Sequence, residues 1–139
     1  MYKCKHFKIE ELVPEDVFEE YGEELCWQLF DEQALMMLDG IREYFGLPVT
    51  VNNWHKGGFF HNRGYRRPDT AIGAKGSMHK LGKAFDSDVK GLTAEEVRKK
   101  ILSDKDCELL KYINRIEASV SWLHCDVKPV QERIMVFVP

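Results

Sequence analysis

The sequence holds no run approaching the ~20 apolar residues that a membrane helix needs, so helical insertion into a bilayer is not expected. It has no C-x-x-C pair: Cys4, Cys26, Cys107 and Cys125 stand far apart, which argues against a zinc ribbon or a thioredoxin-type site. With 139 residues, 44% of them hydrophobic, a core forms without covalent staples, and reduced thiols are expected. Repeats, low-complexity segments, long basic tails and aromatic-basic repeats are all missing, so nucleic acid is not an expected partner. The opening residues 1–6 are followed by charge rather than by an apolar signal core. The expectation is therefore cytoplasmic synthesis without self-encoded export. Bases are nearly absent between residues 9 and 46, where Arg42 stands against twelve acids.

What is present fits one soluble folded domain over residues 1–139, with 31% charged residues and a formal net charge of -3. The charge is unevenly spread. Between residues 55 and 83 the bases Lys56, Arg63, Arg66, Arg67, Lys75, Lys80 and Lys83 face a single acid, Asp69. This predicts a basic face suited to carboxylates or phosphates, or else a plainly solvated loop.

Hydrophobic spacing predicts a short acidic helix over 10–24, broken by Pro14, and a second helix over 31–45 carrying Leu35, Leu38, Ile41, Tyr44 and Phe45 on one stripe. Residues 49–54 are β-branched and alternate as a strand. A long glycine- and arginine-rich loop follows over 57–76, a length that in compact domains accompanies function or mobility. Residues 84–89 read as a strand. Thr93 with Glu96 forms a capping-box pattern for a helix over 94–102, and a further helical turn is expected within 104–110. Strands are expected over 116–127 and 133–138. The order favours an α+β domain, a mainly antiparallel sheet with helices packed on it.

The chemistry concentrates in Ser77-Met78-His79-Lys80-Leu81-Gly82-Lys83-Ala84-Phe85-Asp86. Gly82 allows a tight turn, so His79 can end a loop while Asp86 projects from the following strand beside the small Ala84. A second stretch, Ser121-Trp122-Leu123-His124-Cys125-Asp126, alternates as a strand and sends Trp122, His124 and Asp126 to one face and Cys125 to the other. Two imidazoles and a carboxylate suit Zn²⁺ and leave its fourth position open, the arrangement of a catalytic site. Spacing alone leaves each histidine as readily a satisfied core or surface residue as a ligand. Asp88 shares the face of Asp86. Ser77 caps the turn or bonds near the metal, Trp122 fills a core or stacks on a ligand, and His55 and His61 read as exposed loop residues.

The pattern S-x-H-x-x-G-x-A-x-D with a later W-x-H resembles the zinc D-alanyl-D-alanine carboxypeptidases, whose Hedgehog/D,D-peptidase fold includes many phage endolysins. The resemblance covers residues 49 to 127. It implies that His79, Asp86 and His124 ligate Zn²⁺ and that the protein hydrolyses peptide bonds of bacterial peptidoglycan. Gly64-Tyr65-Arg66 resembles the family's S-G-Y-R segment with Arg63 in place of the serine, which makes Arg66 and Arg63 the expected substrate contacts beside Ser77 and Trp122. Many relatives carry an acid three residues before the last His. That position is Ser121 here, so Glu117 or Asp126 is the candidate base, or Asp126 fixes the tautomer of a ligand histidine. Glu117 reaches the His124 face only if the chain turns between Ala118 and Ser121. The resemblance further implies peptidoglycan stem peptides as partners and a monomer, made in the cytoplasm and acting at the wall after release, with a phage or prophage origin. The alternative expectation is a zinc-stabilised peptidoglycan-binding module that has lost hydrolysis.

Overall fold

The computed structural model describes residues 1–139. After a helical turn at Ile9–Glu11, α1 (Glu15–Trp27) begins at Pro14 and is interrupted at Gly22, and α2 (Glu32–Phe45) is capped by the Asp31 carboxylate on the amide of Gln33, 2.8 Å away. The strands are β1 (Val49–Thr50), β2 (Ala84–Val89), β3 (Arg115–Glu117), β4 (Leu123–Asp126) and β5 (Met135–Phe137), with α3 (Ala94–Ser103) between β2 and β3. The fold is α+β: three helices and a five-stranded sheet in the order β1-β2-β4-β3-β5. Three neighbouring pairs are antiparallel, while β5 runs parallel to β3, so the sheet is mixed.

Alternation along the strands separates core from site. Phe85, Val89, Ile116, Leu123 and Cys125 join one hydrophobic cluster that also draws on all three helices. Asp86, His124, Asp126 and Arg115 project from the other face, because successive side chains on a strand point to opposite sides. Burying the large apolar side chains of the helix-facing side contributes roughly 1.5–3 kcal/mol each and fixes the register. A slip of one residue in β2 or β4 would turn the polar set into the core.

Several predicted boundaries hold, including β2 and the Thr93–Glu96 capping box that starts α3. Others move for visible reasons. The predicted strand over 49–54 stops at Thr50 because the next residues bond to the N-terminal segment instead of the sheet. Asn52 N donates to the Glu11 carbonyl, while Asn52 Nδ2 and Trp54 Nε1 both donate to the Val13 carbonyl. The predicted strand over 116–127 is two antiparallel strands, the chain reversing through 118–122 with Ser119 at φ 63°. The helix expected over 10–24 divides into the first helical turn and α1, and Trp122 falls in the reversal before β4.

Part of the expected basic face is neutralised within the molecule. Arg67 pairs with Asp16 and Glu20 of α1, Lys83 with Asp31 at the start of α2, and Arg63 with Asp88 of β2. The acidic segment and the basic loop are thus partners to one another. All four thiols are free.

Candidate metal centre

His79 is positioned by a helical turn (Met78–Leu81) whose first amides meet the Ser77 hydroxyl, His79 N lying 3.3 Å from Ser77 Oγ. The turn closes at Gly82, which has φ 68°. Any Cβ at Gly82 would strike the Leu29 carbonyl, so glycine is required both by conformation and by space. The same corner is tied to the helical layer: Asp31 N donates to the Gly82 carbonyl at 3.0 Å, and Lys83 Nζ reaches the Asp31 carboxylate at 2.9 Å. Gly64 fits against Leu12, whose carbonyl occupies the place of a Cβ and accepts from Tyr65 N. Its own carbonyl lies 2.9 Å from His79 Nδ1. A carbonyl only accepts, so Nδ1 carries the proton and Nε2 presents a lone pair to the site.

Asp86 and His124 are directly opposed across the β2–β4 ladder. His124 Nδ1 lies 2.9 Å and His79 Nε2 3.2 Å from Asp86 Oδ1. On the far side of its ring, His124 Nε2 meets Asp126 Oδ2 at 2.8 Å. Asp126 has no solvent exposure, and Arg115 grips it with Nε at 3.0 Å and a terminal guanidinium nitrogen at 2.8 Å. Ala84, directly across the ladder from Asp126, is small enough to leave the carboxylate its space. With Gly64 and Asp126 satisfying the outer nitrogens, the three inward ligand atoms are a carboxylate oxygen and two nitrogens able to offer lone pairs. They lie within 4.8 Å of one another, and all three residues are buried. Such a set could hold a cation between its members, and its donors fit zinc chemistry.

The electrostatics agree. Burial alone would lower the His124 pKa, yet hydrogen bonding to the carboxylates of Asp126 and Asp86 outweighs it and pushes the imidazole up to about 9. Burial alone would raise Asp86, but His124 and His79 hold its carboxyl well below the usual carboxylate range. Asp126 is likewise held low by His124 and Arg115 against its burial.

The cluster opens into a cavity of about 540 Å³. Glu117, Arg66, Ser77 and Trp122, all candidates from the sequence, line it together with Arg115, Lys128 and Phe137, which sequence reasoning did not single out. Glu117 arrives there through the reversal at 118–122, on the same face of β3 as Arg115. Arg66 is anchored by its Nε on the Asn62 carbonyl at 2.8 Å and approaches Asp86 at 3.4 Å. Burial lowers its pKa, while the neighbouring charges of Asp86 and Glu117 act the other way.

Other candidates stand elsewhere. Asp126 does not line the cavity: it sits behind His124 with its oxygens engaged, the arrangement of a tautomer-fixing partner rather than of a base. Arg63 is also outside the cavity, its guanidinium 2.7 Å from Asp88 and 4.0 Å from the Phe60 ring. Asp88 is exposed and committed to that pair, leaving Asp86 as the ligand. Ser121 borders a depression beside α3, away from the cluster. His55 and His61 are half-buried and line no part of the metal cavity. Cys125 faces the core, where burial raises its thiol pKa well above the usual value. The period-two alternation that carries Glu117 would have found Arg115, whereas no pattern announces Lys128 or the Gly64 carbonyl. Compared with protein-family models, with curated proteins and with solved structures, the chain matches none, so the chemistry of this site rests on the residues themselves.

Proposed function

We propose that the protein is a zinc-dependent peptidase that hydrolyses peptide bonds of bacterial peptidoglycan, built on the Hedgehog/D,D-peptidase fold. The observation that carries this reading is the buried His79–Asp86–His124 cluster opening into a cavity that also holds one carboxylate, Glu117, and the guanidinium of Arg66. His79 through Nε2, Asp86 through a carboxylate oxygen and His124 through Nδ1 would hold the ion. When bound, zinc supplies Lewis acidity to water and to the scissile carbonyl.

The chain's own residues do the rest. Glu117 takes a proton from the attacking water as its oxygen bonds to the acyl carbon, then returns that proton to the nitrogen as the C–N bond breaks, leaving a carboxylate and an amine. Arg66, fixed by the Asn62 carbonyl, offers its remaining N–H groups to the carbonyl oxygen or to a stem carboxylate. Lys128 adds a second cation to the cavity lining. Ser77 holds the His79 turn, and Trp122 covers one side of the substrate. The serine at position 121 is no obstacle, because the needed carboxylate reaches the cavity from β3.

The test is amine release from purified peptidoglycan. Release should stop on chelation and return with zinc, and Glu117→Gln should keep its zinc while kcat falls by roughly 10²–10⁴. Amine release that ignores chelation would contradict the proposal. Zinc binding and wall binding without any released amine would leave the non-hydrolytic module in its place.

A further inference from the structure

The reversal between β3 and β4 carries Trp122 to the cavity, yet the backbone does little to hold it. The β3–β4 ladder ends at Ile116 and Cys125, and the last backbone bond on the way in runs from Ala118 N to the Phe137 carbonyl at 2.8 Å. Residues 119–122 make no backbone–backbone hydrogen bond. Ser119 takes the left-handed φ of 63°, a conformation that a residue with a Cβ keeps only where its surroundings impose it.

The hydrogen bonds that this segment does receive come from one side chain of α3. Arg98 Nη1 donates to the Val120 carbonyl at 2.9 Å and to the Trp122 carbonyl at 3.1 Å, while Nη2 meets the Glu95 carboxylate at 3.1 Å. Arg98 is only 7% exposed, and its one ion-pair partner, Glu95, is a surface residue. Burial of a guanidinium is unfavourable unless its N–H groups are used, and here they close on the carbonyls either side of Ser121. Arg98 lines no part of the metal cavity and hydrogen-bonds to none of His79, Asp86 and His124.

We propose that Arg98 is a positioning residue, holding the Trp122 backbone from outside the cavity so that the indole forms a fixed wall of the substrate cleft; the part given to substrate rests on the peptidase reading above. The effect runs through Trp122 and not through the ion, because the ligands are set by the β2–β4 ladder and the His79 turn. Glu117 is held independently, its strand paired with β5 through Glu117 and Phe137. Loss of Arg98 therefore acts on binding more than on the chemical step.

The test follows Trp122 directly. With fluorotryptophan in place of the three tryptophans, the Trp122 fluorine signal is assigned by its loss in Trp122→Phe. In Arg98→Met that signal should shift or broaden while those of Trp27 and Trp54 stay in place. With soluble stem peptides from purified peptidoglycan, the same variant should keep its zinc content, raise KM about fivefold and hold kcat within about twofold. Arg98→Lys, which retains a donor for the carbonyls but not the planar fork, should recover part of both effects. An unmoved Trp122 signal or an unchanged KM in Arg98→Met, or in Arg98→Lys should Arg98→Met not fold, would overturn the assignment. Loss of zinc in step with activity would overturn it too, since that marks a general support of the fold. A parent that releases no amine ends the peptidase reading, and the fluorine signal then decides alone whether Arg98 holds Trp122.

Discussion

The Asp126 carboxylate has no contact with solvent, and its oxygens are met by His124, Arg115 and the Lys128 amide. Arg115 in turn lies flat on Phe137, 4.0 Å from the ring centroid. This row of contacts ends on the outer nitrogen of His124, Nε2, so Arg115 would act on a bound ion through Asp126 and the imidazole ring. Removing the guanidinium leaves a buried carboxylate with one charge partner fewer, and such losses cost about 3 kcal/mol or more. Arg115→Met should therefore melt earlier than the parent and bind zinc about ten- to a hundredfold more weakly, as measured by competition with a chromogenic chelator. Arg115→Lys, a point charge without the planar fork, should recover only part of both. Unchanged zinc affinity in Arg115→Met would show that the row is structural only. At this scale the candidate ligands His79, Asp86 and His124 were legible through the family motif, since spacing alone left the histidines undecided. Arg115 and the Gly64 carbonyl were less so, because their roles depend on which strand becomes whose neighbour.

The elements that bear the ligands are joined through one corner. Lys83 stands just before β2, Asp31 caps α2, and the ion pair between them ties the His79 turn to the helical layer. Burial alone would raise the Asp31 carboxyl, yet the Lys83 hydrogen bond and the Gln33 amide bring it below its ordinary value. A carboxyl lowered in the folded state stabilises the protein above its unfolded pKa of about 4, and that stabilisation is lost as the pH falls through the folded value. Asp31→Asn should consequently be less stable than the parent at pH 7 and close the gap as the pH approaches 3, measured by urea unfolding at both. A gap independent of pH would mean that the carboxylate charge plays no part. Element by element, β2 and α3 were readable because alternation and a capping box are local signals. The split of 116–127 was not, because one alternating run reads alike whether it is a single strand or two strands folded back on each other. The shortening of β1 was hidden for a similar reason: the partners of Asn52 lie some forty residues upstream, at Glu11 and Val13.

At the scale of the whole molecule, the acidic first third and the basic loop are halves of one design, in which α1 and the start of α2 neutralise Arg67 and Lys83. Around the cavity, Arg66 and Lys128 are the basic side chains without a short ion pair. Composition revealed the asymmetry but not its cancellation, which only the fold brings about. The helical layer packs on one face of the sheet and leaves the other to Asp86, His124, Asp126 and Arg115, so the fold's polarity is also the polarity of the site. All of the chemistry proposed above depends on an ion held by three residues. The most direct test is the metal content of the purified protein beside its His79→Ala and His124→Ala variants, each confirmed as folded by circular dichroism. The account predicts close to one zinc per chain in the parent and little in either variant. A folded parent that takes up no zinc, or variants that keep it in full, would contradict it.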